Sequence, residues 1–102
     1  MTQQPQAPQI QEIKIYFPNE LKGGVYSNLM QVLHTREEFI MNFFMVSPPD
    51  GVAVARVIMS PGHMKRTILA LQDNLKKYEG NFGSIKEAPE PIEKGKLGFQ
   101  MP

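Results

Sequence analysis

This 102-residue chain contains no cysteine and therefore has no thiol nucleophile and no thiolate metal site. Its two histidines, His34 and His63, fall in different predicted elements. A metal site would need further Asp or Glu ligands converging on each, and neither lies in a recognised metal-ligand motif. Ser60 stands where a strand is expected to pass into a helix. Its surroundings, Met59-Ser60-Pro61-Gly62, lack the G-x-S-x-G elbow that exposes a nucleophile. Capping the helix accounts for it better. Glu37 and Glu38 are adjacent and point to opposite faces of a strand, so they do not converge as an acid and a base. Gly23-Gly24 is followed by neither Gly-Lys-Ser/Thr nor a helix that would cradle a phosphate. The expectation is a non-enzyme with no catalytic, cofactor-binding or metal residue.

Arg56 is the most informative charge. It interrupts the apolar run Val52-Ala53-Val54-Ala55-Arg56-Val57-Ile58-Met59, and arginine is seldom buried without a partner. Three readings fit it: an exposed stripe on the strand, a cross-sheet pair with a carboxylate such as Glu38, or a contact with a partner or an anion.

The elements that must position these residues follow from periodicity. Ser60 to Gly80 reads as one amphipathic helix. Ser60 suits the N-cap and Pro61 the first helical position, while Gly80 offers a left-handed stop. Met64, Ile68, Leu71, Leu75 and Tyr78 form one stripe at alternating spacings of four and three. Phe82 continues it, and Phe82 and Ile85 are expected to fold back onto the core. Upstream, Ile13, Ile15 and Phe17 alternate with Glu12, Lys14 and Tyr16, which predicts a half-buried strand over 10–17. A second strand is expected over 25–34 and a third over 39–46. The breaker Ser47-Pro48-Pro49-Asp50-Gly51 precedes a fourth over 52–59. The fold class is therefore α+β: an antiparallel meander of about four strands followed by one long helix. The domain is expected over 10–85, between a disordered Gln/Pro-rich arm at 1–9 and a flexible tail at 86–102.

One helix is too little cover for this sheet. In the third strand Phe39, Met41, Phe43 and Met45 occupy one face, and Ile40, Phe44 and Val46 the other. A helix of about 19 residues, roughly 28 Å long, covers one face only. Leaving large apolar side chains in water forfeits about 1.5–3 kcal/mol each. Ile40, Phe44, Val46 and Arg56 are thus the candidate interface residues, and a symmetric homodimer is the simplest way to cover them.

Composition excludes other classes. The formal net charge of +1 gives no electrostatic case for nucleic acid or an anionic membrane. No apolar run approaches the roughly 18 residues that span a bilayer. The opening Met1-Thr2-Gln3-Gln4-Pro5-Gln6 lacks the regions of a secretory signal, so a cytoplasmic location is expected.

Several segments resemble one family, catalogued as domain of unknown function 3467. They are Val25-Tyr26-Ser27-Asn28, Thr35 to Phe43, Ala55 to Arg66, Leu71 to Leu75, Tyr78-Glu79 and Phe82 to Ile85. The resemblance covers about residues 10–86. One departure is Asn42, where the family pattern tends to carry Asp, so no acid is transferred to that position. The family is uncharacterised, and the resemblance implies no catalytic or ligand residue.

The expected function is an oligomeric protein-interaction module. One alternative is a holdase chaperone similar in general plan to SecB, suggested by strands followed by a helix and by Met- and Phe-rich surfaces. Another is a single-stranded nucleic-acid-binding dimer, against which the near-neutral charge counts.

Overall fold

The computed structural model describes residues 11–92 and 97–102. The arm expected at 1–9 lies outside them. Three antiparallel strands, β1 (Leu29–His34), β2 (Phe39–Ser47) and β3 (Asp50–Met59), form a sheet in the order β1-β2-β3. One helix, α1 (Pro61–Phe82), follows. The class is α+β, with three strands rather than four. The strand expected over 10–17 is absent among the described residues, where 11–17 are exposed and belong to no element. The alternating pattern is present there, but no neighbouring strand lies alongside to satisfy its backbone groups. A 3-10 turn at Asn19–Leu21 follows.

Each hairpin has a local cause. Between β1 and β2, the Thr35 Oγ1 accepts from the backbone N–H of Glu37 (3.2 Å) and of Glu38 (3.1 Å). The Thr35 N–H donates to the Glu38 carbonyl at 2.9 Å, closing the turn. Between β2 and β3, Pro48 and Pro49 force the reversal. Gly51 lies opposite Val46 in the ladder. A Cβ on Gly51 would come within 3.2 Å of the Val46 side chain, so a side chain there would crowd the pairing. The register steps from Phe43↔Ala55 to Phe44↔Ala53, leaving Val54 as a bulge.

The helix begins as its sequence predicts and ends three residues later than expected. The Ser60 Oγ accepts from the His63 N–H at 3.2 Å, with Pro61 in the first turn. Gly80 sits inside the helix, and Gly83 ends it at φ +94° with its N–H on the Glu79 carbonyl at 2.8 Å. The positive φ, which glycine adopts without strain, is at Gly83.

The helix does not cover a sheet face as expected. It meets the sheet near its first turns, where Met64 is buried. The Thr67 hydroxyl, which donates to the His63 carbonyl at 2.8 Å, also lies 3.5 Å from the Met59 sulfur. Met59 pairs with Phe39 and shares its face, so the helix starts on the side of Phe39, Met41, Phe43 and Met45. Beyond that, Ile68, Leu71, Leu75 and Tyr78 remain 46–65% exposed. Phe82 and Ile85 are exposed too, and the fold-back expected of them is not seen. The radius of gyration is 19.6 Å, against about 13 Å for a compact chain of this length.

Candidate interaction faces

Ile40, Asn42, Phe44 and Val46 alternate along β2 and therefore share one face. Arg56 lies opposite Asn42 and joins them. The four candidate interface residues are thus brought together on one side of the sheet, in two environments. Phe44 and Val46 are 7% and 8% exposed. The C-terminal segment lies over them: the Phe99 ring stands 5.8 Å from that of Phe44, tilted by 42°. A groove of about 350 Å³ opens there, bounded by Pro48, Pro49 and Gly51 of the hairpin and by Ile92, Leu97 and Phe99. Further along the face, Ile40 is half-buried and Arg56 is exposed. Leu33 and Ile58, on either side of Ile40, are also exposed.

Arg56 is held by an amide. Its Nε donates to the Asn42 Oδ1 at 2.6 Å, and the Asn42 Nδ2 donates to the Gln31 Oε1 at 3.1 Å. Gln31, Asn42 and Arg56 are opposite one another in the ladder, so the three side chains form a polar rung across all three strands. Asn42 is 5% exposed, and both ends of its amide are satisfied. That disposes of the desolvation that an unpaired buried amide would incur. Asn42 is neutral, so the guanidinium charge has no counter-ion within the rung. Among the described residues the one ion pair is Lys77–Asp73 (3.1 Å) on exposed helix surface. The pairing of Arg56 with Glu38 is not present.

A second amide does a strand's work. The Asn28 Nδ2 donates to the Val46 carbonyl, and the Val46 N–H donates to the Asn28 Oδ1, both at 2.8 Å. The Asn28 N–H donates to the Phe44 carbonyl (3.0 Å), which also accepts from the Ser27 hydroxyl (3.0 Å). This clamp ties the incoming chain to β2 before β1 begins. Reading Ser27 and Asn28 as ordinary strand residues misses it. The signal for the polar rung was an asparagine inside the run Phe39 to Val46, with Gln31 and Arg56 one hairpin away on each side.

The remaining residues do not converge. His34 is exposed and its ring lies 5.7 Å from that of Phe39. His63 is exposed in the first helical turn, its Nδ1 3.1 Å from an Nη of Arg66. Glu37 and Glu38 lie in the turn. No group of three metal-ligating side chains comes together among the described residues, and no helix there is long and apolar enough to cross a membrane.

A family model described as "Protein of unknown function (DUF3467)" matches residues 1–87. Phe99 and the rest of the segment over Phe44 therefore lie outside the region matched. Neither a curated protein nor a solved structure matches the chain.

Proposed function

The chain belongs to the DUF3467 family, and we propose that this member is a non-enzymatic protein-interaction module that works as a homo-oligomer, in its simplest form a dimer. The observation that carries the reading is the helix. Over about four turns past Met64 its apolar stripe lies at 46–65% exposure on Ile68, Leu71, Leu75 and Tyr78. An isolated helix is marginal in water, and helices in proteins draw their stability from packing an apolar face. A stripe of this length with so little cover in its own subunit marks an interaction surface. A second copy supplies an identical stripe, and a two-fold axis brings the two together. Ile40 and Arg56 on the sheet extend the proposed interface. Phe44 and Val46, expected at the interface, are instead covered by the chain's own C-terminal segment and stay outside it.

A cytoplasmic location is part of the proposal and suits a chain without cysteine. Nucleic acid is not, because the net charge is +1. Light scattering coupled to size exclusion at micromolar concentration tests the reading. A dimer or higher oligomer is expected, and a well-folded monomer overturns it.

One observation favours the holdase as a second reading. Met30, Met41 and Met45 lie incompletely buried on the helix-side face of the sheet, and methionine-rich surfaces adapt to varied apolar partners. Suppressed aggregation of an unfolded client supports it; inertness toward such clients ends it.

A further inference from the structure

We propose that residues 12–17 add as a strand to the free edge of β3 in a second copy, so that each subunit completes its partner's sheet. The inference rests on the homo-oligomer reading and names how the copies engage. Ile13, Ile15 and Phe17 alternate with Glu12, Lys14 and Tyr16, the pattern of a strand with one buried face. Yet Ile13, Ile15, Tyr16 and Phe17 are 67–81% exposed. No backbone or side-chain hydrogen bond is made by residues 12–17 among the described residues. A segment patterned for burial and pairing has neither within its own subunit.

The same chain offers the complementary surface. β2 is central and paired on both sides, so β1 and β3 each have one open edge. The β3 edge is the better template. It runs for ten residues against six in β1. Like β1 it contains no proline, and between Val52 and Met59 its only charge is Arg56, so neither of the ordinary edge protections, prolines and repeated charges, closes it to pairing. A six-residue strand spans about 20 Å, and it meets Ala55–Met59, the five residues of β3 beyond the Val54 bulge, with one residue to spare.

The geometry favours a second copy over the chain's own β3. The Asn28 clamp fixes the arm's exit beside β1, on the far side of the sheet from the open β3 edge. Added to the partner, the strand supplies main-chain hydrogen bonds. Ile13, Ile15 and Phe17 then prolong one of two faces, which end at β3 in the exposed Val57 and Ile58 respectively. Two arms exchanged about a two-fold axis close the assembly without leaving a free β3 edge.

The full-length chain is tested by hydrogen exchange and light scattering, beside Ile15→Pro. Proline removes one N–H and breaks strand pairing. Residues 12–17 make no hydrogen bond in the subunit, so on dilution to monomer the variant keeps the circular dichroism and thermal transition of the wild-type monomer, while the concentration-dependent part of the dimer's thermal transition falls. The expected result is slow exchange at 13–17 in the dimer, lost on dilution to monomer. In Ile15→Pro it is also lost, with Kd weakened about tenfold or more. The absence of native cysteine makes a cross-link clean. Copies carrying Ile15→Cys, mixed with copies carrying Ile58→Cys at an exposed β3 position outside the rung, should join through a short bismaleimide. Copies carrying Ile15→Cys mixed with Leu33→Cys copies should join less. A dimer with unprotected 13–17 and an unchanged Ile15→Pro overturns strand exchange while leaving the oligomer reading standing. So does protection that persists in the monomer, or preferential joining to Leu33→Cys. A wild-type monomer removes both.

Discussion

Leu75→Ala tests the helix stripe most directly. The substitution removes three carbons, worth about 0.8 kcal/mol each on full burial. Leu75 is 49% exposed in the subunit, so about half of that gain, roughly 1.2 kcal/mol, is left for association to realise. When two stripes meet across a two-fold axis the loss is counted twice, about 2.4 kcal/mol, which raises Kd about fiftyfold. Sedimentation equilibrium over a concentration series reads that change. Leu69→Ala is the control. Leu69 is 64% exposed and lies on the opposite side of the helix from the stripe, so its loss should move stability by no more than about 0.5 kcal/mol and leave Kd unchanged. An unchanged Kd for Leu75→Ala, or equal effects of the two variants, refutes the assignment of the stripe to the interface.

Asn42→Ala leaves the Gln31 and Arg56 ends of the rung without their shared partner and should lower stability by about 1–3 kcal/mol in urea titration. Asn28→Ala deprives the Val46 N–H and carbonyl of two 2.8 Å partners; a loss of about 1–2 kcal/mol is expected, with amide exchange at Val46 accelerated. Phe99→Ala uncovers Phe44 and should raise binding of an apolar fluorescent dye, at about 1 kcal/mol of stability because Phe99 is itself half-exposed.

The helix was legible because each of its start signals acts locally. Ser60 and Pro61 need only their own first turn, and the apolar stripe needs only its spacing. Its end was misread because Gly80 and Gly83 are chemically equivalent, and which one takes positive φ depends on where the last turn finds hydrogen-bond partners. The strands at 39–47 and 50–59 were legible from β-branched and aromatic runs bounded by prolines. The strand over 10–17 was not realised in the subunit because alternation states what a segment would bury, and pairing requires a neighbour. The side-chain clamp at Asn28 was invisible for a related reason: an amide imitating a peptide group leaves no periodic trace. The alternation along β2 places its apolar residues in two sets, one on each face of the sheet. The helix covers less of the sheet than its length implies, touching it in one region around Met64 and Thr67.

Arg56 and Asn42 show how a single polar position organises an otherwise apolar sheet. Gln31, Asn42 and Arg56 satisfy each other only when both hairpins keep their observed register. Slipping β2 by one residue against its neighbours would turn Asn42 toward the face of Met41 and Phe43, away from both partners. The loss of two hydrogen bonds to a buried amide, about 1–3 kcal/mol, penalises that slip in addition to the apolar mismatch. The rung therefore ties together three decisions: strand order, register, and which face carries Ile40 and Phe44. An apolar residue at position 42 would remove only the hydrogen-bond penalty. Asn42→Leu should accordingly keep the fold but accelerate amide exchange along β1 and β3, and unchanged exchange in that variant would show that the Thr35 and Pro48-Pro49 turns fix the register unaided.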